Sequence, residues 1–134
     1  MARIVQKFGG TSVGDMDRIR HVAGLVKAEY DQGNEVVVVP SAMSGITDGL
    51  VDSIHTMSPL HDTPELDVVT ATGELVTFVL LSLALQNICV PSLSRLARQV
   101  PLHTAVFPVH ACIAALSTDT IFCPFPFGLV SVLT

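Results

Sequence analysis

The chain opens on a strand-like run, Arg3–Phe8, and from about Asp15 to Gln32 its apolar residues fall into helical spacing. Ile19, Val22, Ala23, Val26 and Tyr30 repeat at three and four residues, which predicts an amphipathic helix. Asp15 and Asp17 stand near its start, where the helix dipole favours anions, and Gly33-Asn34 is a stop signal. The run "EVVVVPSAM" then predicts a central parallel strand buried on both faces. Strand, helix, strand in this order makes one βαβ unit with a right-handed crossover. After the loop "SAMSGITDG", Thr47 is expected to cap a short helix over Gly49–Met57. Thr63 is expected as the N-cap of a longer helix with Pro64 at its first position, and Asp62 and Glu65 have capping-box spacing. That helix is expected to reach about Gln86 with Gly73 inside it, a residue that costs around 1 kcal/mol there relative to alanine. Tight packing or a nearby ligand would account for it. Beyond Val90 the pattern loses its period. "CPFPFG" is excluded from a helix by Pro124 and Pro126, and "GLVSVLT" is expected to be a final strand.

Charge divides the chain in two. Residues 1–74 carry 5 basic and 11 acidic side chains, whereas residues 75–134 carry only Arg95, Arg98 and Asp119. The first part has the balance of an ordinary α/β sequence. The second has little polar surface, which points to a homo-oligomer or another partner covering it. The longest apolar stretch, Leu75–Leu85, is shorter than the roughly 20 residues a membrane-spanning helix needs, so a buried helix is expected and no membrane partner. With a formal net charge of -5 and scattered Lys and Arg, a nucleic-acid partner is excluded. A small anionic substrate, served by one or two placed cations, is not. At 134 residues the chain is long enough for one domain with a core.

Cys89, Cys112 and Cys123 are too far apart for a metal-ligand pattern and are expected to be reduced, buried thiols of a cytosolic protein. The N-terminus lacks the pattern of a signal peptide. The five histidines show no ligand spacing, and no metal site is expected.

Three short segments can carry chemistry. "KFGGTS" delivers Lys7 from a strand into Gly9-Gly10 and a helix start, an arrangement suited to a phosphate and equally to a solvated turn. GxxxxGK[ST] and GxGxxG are both absent, which disfavours a P-loop kinase and a Rossmann dehydrogenase. "PSAMSGITD" groups Ser41, Ser44 and Thr47 beyond the end of the second strand, where parallel α/β sheets bind ligands, although it can simply cap the next helix. "ATGEL" sets Glu74 against an apolar run, so the carboxylate is expected to be half-buried and in need of a partner, unless it is an exposed helix charge. A ligand ammonium, Lys7 or a backbone amide would each serve.

Taken together, "KFGGTS", "SAMSGITD" and "TGE", in this order and spacing, resemble the aspartokinases of the amino-acid kinase family. The likeness is nearly unbroken over residues 2–74. It implies a three-layer αβα sandwich around a mainly parallel sheet, and transfer of the γ-phosphoryl of ATP to the side-chain carboxylate of L-aspartate. That step leads to lysine, threonine and methionine in the cytoplasm. The resemblance implies that Lys7, Phe8, Gly9 and Gly10 meet the ATP phosphates, with Lys7 catalytic, and that Ser41, Thr47 and Glu74 hold aspartate. Mg²⁺ would be carried by ATP. "KFGGTS" alone would also suit a glutamate or acetylglutamate kinase.

Past Glu74 the likeness weakens. Phe78 and Val79 stand where the family carries small residues, and "TAVFPVHACI" lacks the expected acidic and glycine residues. Such bulk is expected to fill the substrate pocket or alter packing. Residues 1–134 correspond to the N-terminal portion of a kinase domain, with no counterpart of the nucleotide-binding half or of ACT regulatory domains. Little activity is expected from this piece alone, and a non-catalytic truncated or degenerate product is the alternative.

Overall fold

The computed structural model describes residues 1–57, 64–96, 99–100, 102–104 and 113–134. Strand β1 (Arg3–Phe8) leads through a 3₁₀ turn (Gly10–Val13) to helix α1 (Met16–Asp31) and strand β2 (Glu35–Pro40). Helices α2 (Ile46–Met57) and α3 (Pro64–Asn87) follow. Then come strands β3 (Ser92–Arg95), β4 (Leu102–Thr104) and β5 (Ile113–Leu116), helix α4 (Asp119–Phe122) and strand β6 (Val130–Leu133). The main sheet has the order β1-β2-β6-β3 and all its pairings are parallel, while β4 and β5 form a separate antiparallel pair. The α/β class expected from the sequence is therefore the class observed.

Local chemistry explains these boundaries. The Asp15 side chain accepts the Arg18 backbone N–H at 2.8 Å and so caps α1, satisfying one of the unpaired donors of a helix start. At the other end Gly33 adopts φ +80° and its N–H reaches the Tyr30 carbonyl. In β2, Val36 and Val38 face one side of the sheet and Val37 the other, all buried. A continuous valine run suits a strand covered on both faces.

Two apolar layers sandwich the sheet. Ile19, Val22 and Val26 of α1 and Phe78, Leu81 and Leu85 of α3 pack with Val36, Val38, Val130 and Val132. Each fully buried Val or Leu side chain contributes about 1.5–3 kcal/mol. On the opposite face Val37 packs with Val100, Ile121 and Phe125. This second layer leaves β1 open, and Val5 is 66% exposed. Arg3 bridges the gap by pairing with Glu35 at 2.7 Å and lying 3.9 Å over the Phe122 ring.

Helix α3 is long and apolar enough to cross a membrane by length and composition. About 33% of its apolar window is buried within the domain, on the face of Gly73, Thr77, Phe78, Leu81, Ser82 and Leu85. The opposite face exposes Val76, Val79 and Leu83.

Four expectations need correction or qualification. The helix expected over Gly49–Met57 begins at Ile46, and Thr47 lies in its first turn instead of capping it. Gly45, at φ +80°, redirects the chain and its carbonyl accepts the Gly49 N–H, which makes the glycine the start of the helix. Cys89 and Cys123 are exposed, not buried, because both terminate helices at the surface. Phe78 enters the core rather than a pocket and is 4% exposed. "CPFPFG" forms no α-helix but does make a 3₁₀ turn, Phe125–Phe127, closed by left-handed Gly128. Thr63, Asp62, Cys112, Arg98 and most of "TAVFPVHACI" lie outside the described residues.

Candidate active site at the carboxyl edge of the sheet

Because β1, β2, β3 and β6 are parallel, their carboxyl ends share one edge, the side on which open α/β sheets bind ligands. The three motif segments converge there. After Phe8 the chain passes through Gly9 into the 3₁₀ turn, with the Ser12 N–H on the Gly9 carbonyl at 2.9 Å. The Ser41 N–H reaches the Phe8 carbonyl at 2.9 Å and ties the second segment to the first. A Cβ on Gly10 would stand 2.8 Å from the Ala42 carbonyl oxygen, so glycine alone allows this approach. The third segment closes on the same point. A Cβ on Gly73 would lie 3.5 Å from the Ala42 Cβ and 3.4 Å from the Ile46 side chain. That is ordinary contact distance, so packing there would accept a methyl group.

Glu74 is half-buried, as expected, and its partner is one the sequence did not suggest. The Thr134 hydroxyl donates to Glu74 Oε2 at 3.2 Å. Thr134 follows β6, so this contact holds the carboxylate over the end of that strand.

Register places the remaining groups. Lys7 pairs with Val39 of β2, and Val38 pairs with Val132 of β6. Lys7 and Thr134 therefore sit two strands apart on one edge, about 10 Å between backbones at the usual strand spacing. Lys7 follows Arg3 and Val5 on the sheet face of the second apolar layer, whereas Glu74 arrives from the α3 side. The two side chains approach the edge from opposite faces. Among the described residues, no carboxylate lies within ion-pair distance of the exposed Lys7.

Gly9 is exposed and open space surrounds the position of a Cβ there. Phe8 turns inward, packs against the main core and borders a cavity of about 640 Å³ with Ser12, Asp15, Arg18 and His21. Another cavity of about 430 Å³ lies at the opposite, amino end of the strands beside Tyr30, Glu35 and Gly128. Ser41 and Thr47 are both half-buried, at the end of β2 and in the first turn of α2. Among the described residues no three His, Cys, Asp or Glu side chains gather as a metal cage.

The model of the amino acid kinase family matches residues 2–121, and the chain belongs to that family. Within it, the similarity is to aspartokinases. The chain is 43% identical over 122 residues to the aspartokinase of Rickettsia felis, an alignment covering 89% of this chain and 30% of that protein. Among solved structures, aspartate kinase from Synechocystis superposes with a TM-score of 0.80 at 40% identity, covering 97% of this chain and 21% of the other. E. coli aspartokinase III, solved with aspartate and ADP, shares the fold with a TM-score of 0.77 at 23% identity, over 99% of this chain and 40% of the other. The chain thus spans under a third of the Rickettsia relative.

Proposed function

We infer that this chain carries the amino-acid-binding part, and the first phosphate-binding element, of an aspartate kinase. The observation that supports this most directly is the convergence of the Gly9-Gly10 loop, the Ser41–Thr47 segment and Glu74 on one edge of a parallel sheet, in a chain similar to aspartokinases. In this reading residues 1–134 correspond to the front portion of a kinase domain.

The reaction is transfer of a phosphoryl group from ATP to the side-chain carboxylate of L-aspartate. A carboxylate oxygen bonds to the γ-phosphorus as the bond to the bridging oxygen breaks, and ADP leaves. The nucleophile is ionised at neutral pH, so no general base is required and catalysis reduces to positioning and charge stabilisation. Lys7 faces solvent, has no carboxylate partner among the described residues, and can neutralise charge building on phosphate oxygens. Gly9 and Gly10 let the backbone come close to the phosphates, because open space surrounds Gly9. Mg²⁺ would arrive with the nucleotide and supply positive charge to its phosphates, with few ligands from the protein. Glu74, fixed by Thr134, offers its carboxylate to the amino acid's ammonium group. Ser41 and Thr47 supply hydroxyls beside it. The product would feed lysine, threonine and methionine synthesis in the cytoplasm. Self-association through exposed Val79, Leu83 and Phe127 belongs to the same reading.

Titration calorimetry with L-aspartate tests the assignment. The wild-type chain is expected to bind, and Glu74→Gln to bind about tenfold or more weakly, the loss typical of a charged hydrogen bond. Equal affinity in the two proteins, or tighter binding of L-glutamate, would reject aspartate as the ligand. In a coupled assay of ADP release the chain alone is expected to show little activity, and turnover near that of full-length relatives would refute the proposed division of the site.

A further inference from the structure

Helices α1 and α3 cover the same face of the sheet, but their outward sides differ. On α1, Arg20 pairs with Asp17 and Lys27 with Asp31 along the solvent side. On α3 the outward side runs Val68, Thr72, Val76, Val79, Leu83 and Asn87, at steps of three and four residues, all exposed and none charged. Val68 is 67% exposed, and Val76 and Leu83 are each 55% exposed. A surface helix ordinarily sets charged residues opposite its core face, and a helix that is apolar on every side is a buried one. Beside this stripe lies a groove of about 440 Å³, lined by Met16, Ile19 and Ala23 of α1 and by Leu80, Leu83 and Ala84 of α3. Arg20 also lines it, and that charge is already paired with Asp17.

The chemistry of the stripe selects a second copy of this chain as its cover. An uncharged face is self-complementary, because a twofold axis that brings it against itself opposes no like charges. At their observed exposures the stripe and Met16 offer on the order of 600 Å² per copy, so two copies would bury roughly 1,200 Å², the lower end for a specific interface. A membrane surface fits less well. Helices that lie on lipid are rich in Lys and Arg on their polar side, and Pro64–Asn87 contains neither. A membrane span does not fit either, because Phe78, Leu81 and Leu85 of the same helix pack on the sheet.

We propose that the α3 stripe is an isologous dimer interface, in which two antiparallel α3 helices cross beside Val79 and Val76 of each copy meets Leu83 of the other. This rests on the self-association included in the proposed reading, and not on the aspartate site. It narrows that association to one face and leaves out Phe127, which adjoins Phe125 of the layer on the other side of the sheet. Sedimentation equilibrium of the full chain tests it. The wild-type chain is expected to dimerise at micromolar concentration. Val76→Glu and Leu83→Lys each put a charge into the contact with no partner, and each is expected to weaken dimerisation about tenfold or more. Mixing the two variants is expected to restore a heterodimer, since antiparallel pairing sets the new glutamate against the new lysine. Phe127→Glu is expected to dimerise as the wild type does. A monomeric wild-type chain, including one that floats with phosphatidylcholine vesicles instead, overturns both the interface and the self-association and leaves the aspartate site standing. A dimer that survives both α3 variants, or one lost with Phe127→Glu, overturns the α3 face. Loss in both variants without recovery on mixing overturns the antiparallel pairing. If either variant fails to fold by circular dichroism, dilution of the isotope-labelled wild-type chain decides. The amides of Val76, Val79 and Leu83 are expected to shift as the dimer dissociates, and shifts confined to other residues overturn the proposal.

Discussion

Alanine at position 10 would put a methyl carbon 2.8 Å from the Ala42 carbonyl oxygen, an atom fixed in the backbone of the facing segment. Carbon and oxygen normally rest about 3.3–3.6 Å apart, so one of the two loops must retreat by more than half an ångström. Overpacking of this kind costs about 1–3 kcal/mol. A smaller gain opposes it, since alanine in place of glycine restricts the unfolded chain and contributes about 0.4–1 kcal/mol. The net expectation for Gly10→Ala is a loss of about 1–2 kcal/mol. With a urea slope of about 1–3 kcal/mol/M for a domain of this size, the unfolding midpoint falls by roughly 0.3–2 M. Gly9→Ala is the internal control. No atom lies within 4 Å of a Cβ there, and φ is -73°, which any residue adopts. Its stability is expected to stay within about 0.5 kcal/mol of wild type. Urea denaturation followed by circular dichroism measures both. If Gly10→Ala matches wild type, or Gly9→Ala is equally damaging, the two loops do not meet as described.

Further expectations concern the frame that holds the site. Cys89 has φ 61° at the end of α3, where its N–H meets the Gln86 carbonyl and the Val90 N–H meets the Leu85 carbonyl. Glycine is favoured in that position, so Cys89→Gly is expected to stabilise the chain by about 1 kcal/mol in urea denaturation, and a loss would contradict the left-handed geometry. Ser92 Oγ lies 2.9 Å from Ser82 Oγ and donates to the Ser82 carbonyl at 3.0 Å, joining β3 to α3. Ser92→Ala leaves the buried Ser82 hydroxyl without this partner and is expected to cost about 1–3 kcal/mol by the same measurement. Leu81 is fully buried between α3 and the sheet, and Leu81→Ala is expected to lower the melting free energy by about 2–5 kcal/mol; a negligible change would place α3 elsewhere.

How much of this was legible depended on where local signals were strong. Helix α1 could be read end to end because its cap, its three-and-four spacing and its glycine stop all agree. β2 was equally plain, since a run of valines fits a strand buried on both faces better than it fits a helix. The start of α2 was misplaced because the decisive feature is Gly45 in a left-handed conformation, and a glycine in a loop does not announce its dihedral angle. The two exposed cysteines were misread because composition reflects how often cysteine is buried and says nothing of helix ends. The strand β3, the β4–β5 pair and α4 were not foreseen, because almost uncharged sequence lacks the polar positions that mark a period. In the site, Lys7, Gly9, Gly10 and Glu74 stood out through their motifs. Ala42 and Thr134 did not. Each belongs to the edge through backbone position, which strand order reveals and sequence spacing does not.

The most direct measurement is a nuclear magnetic resonance titration of the isotope-labelled chain with L-aspartate. The expected result is a set of perturbed amides confined to the carboxyl edge, centred on Ser41, Ala42, Thr47, Glu74 and Thr134. Perturbations gathered instead around Tyr30 and Gly128 at the amino end of the strands, or none at saturating ligand, would contradict the site.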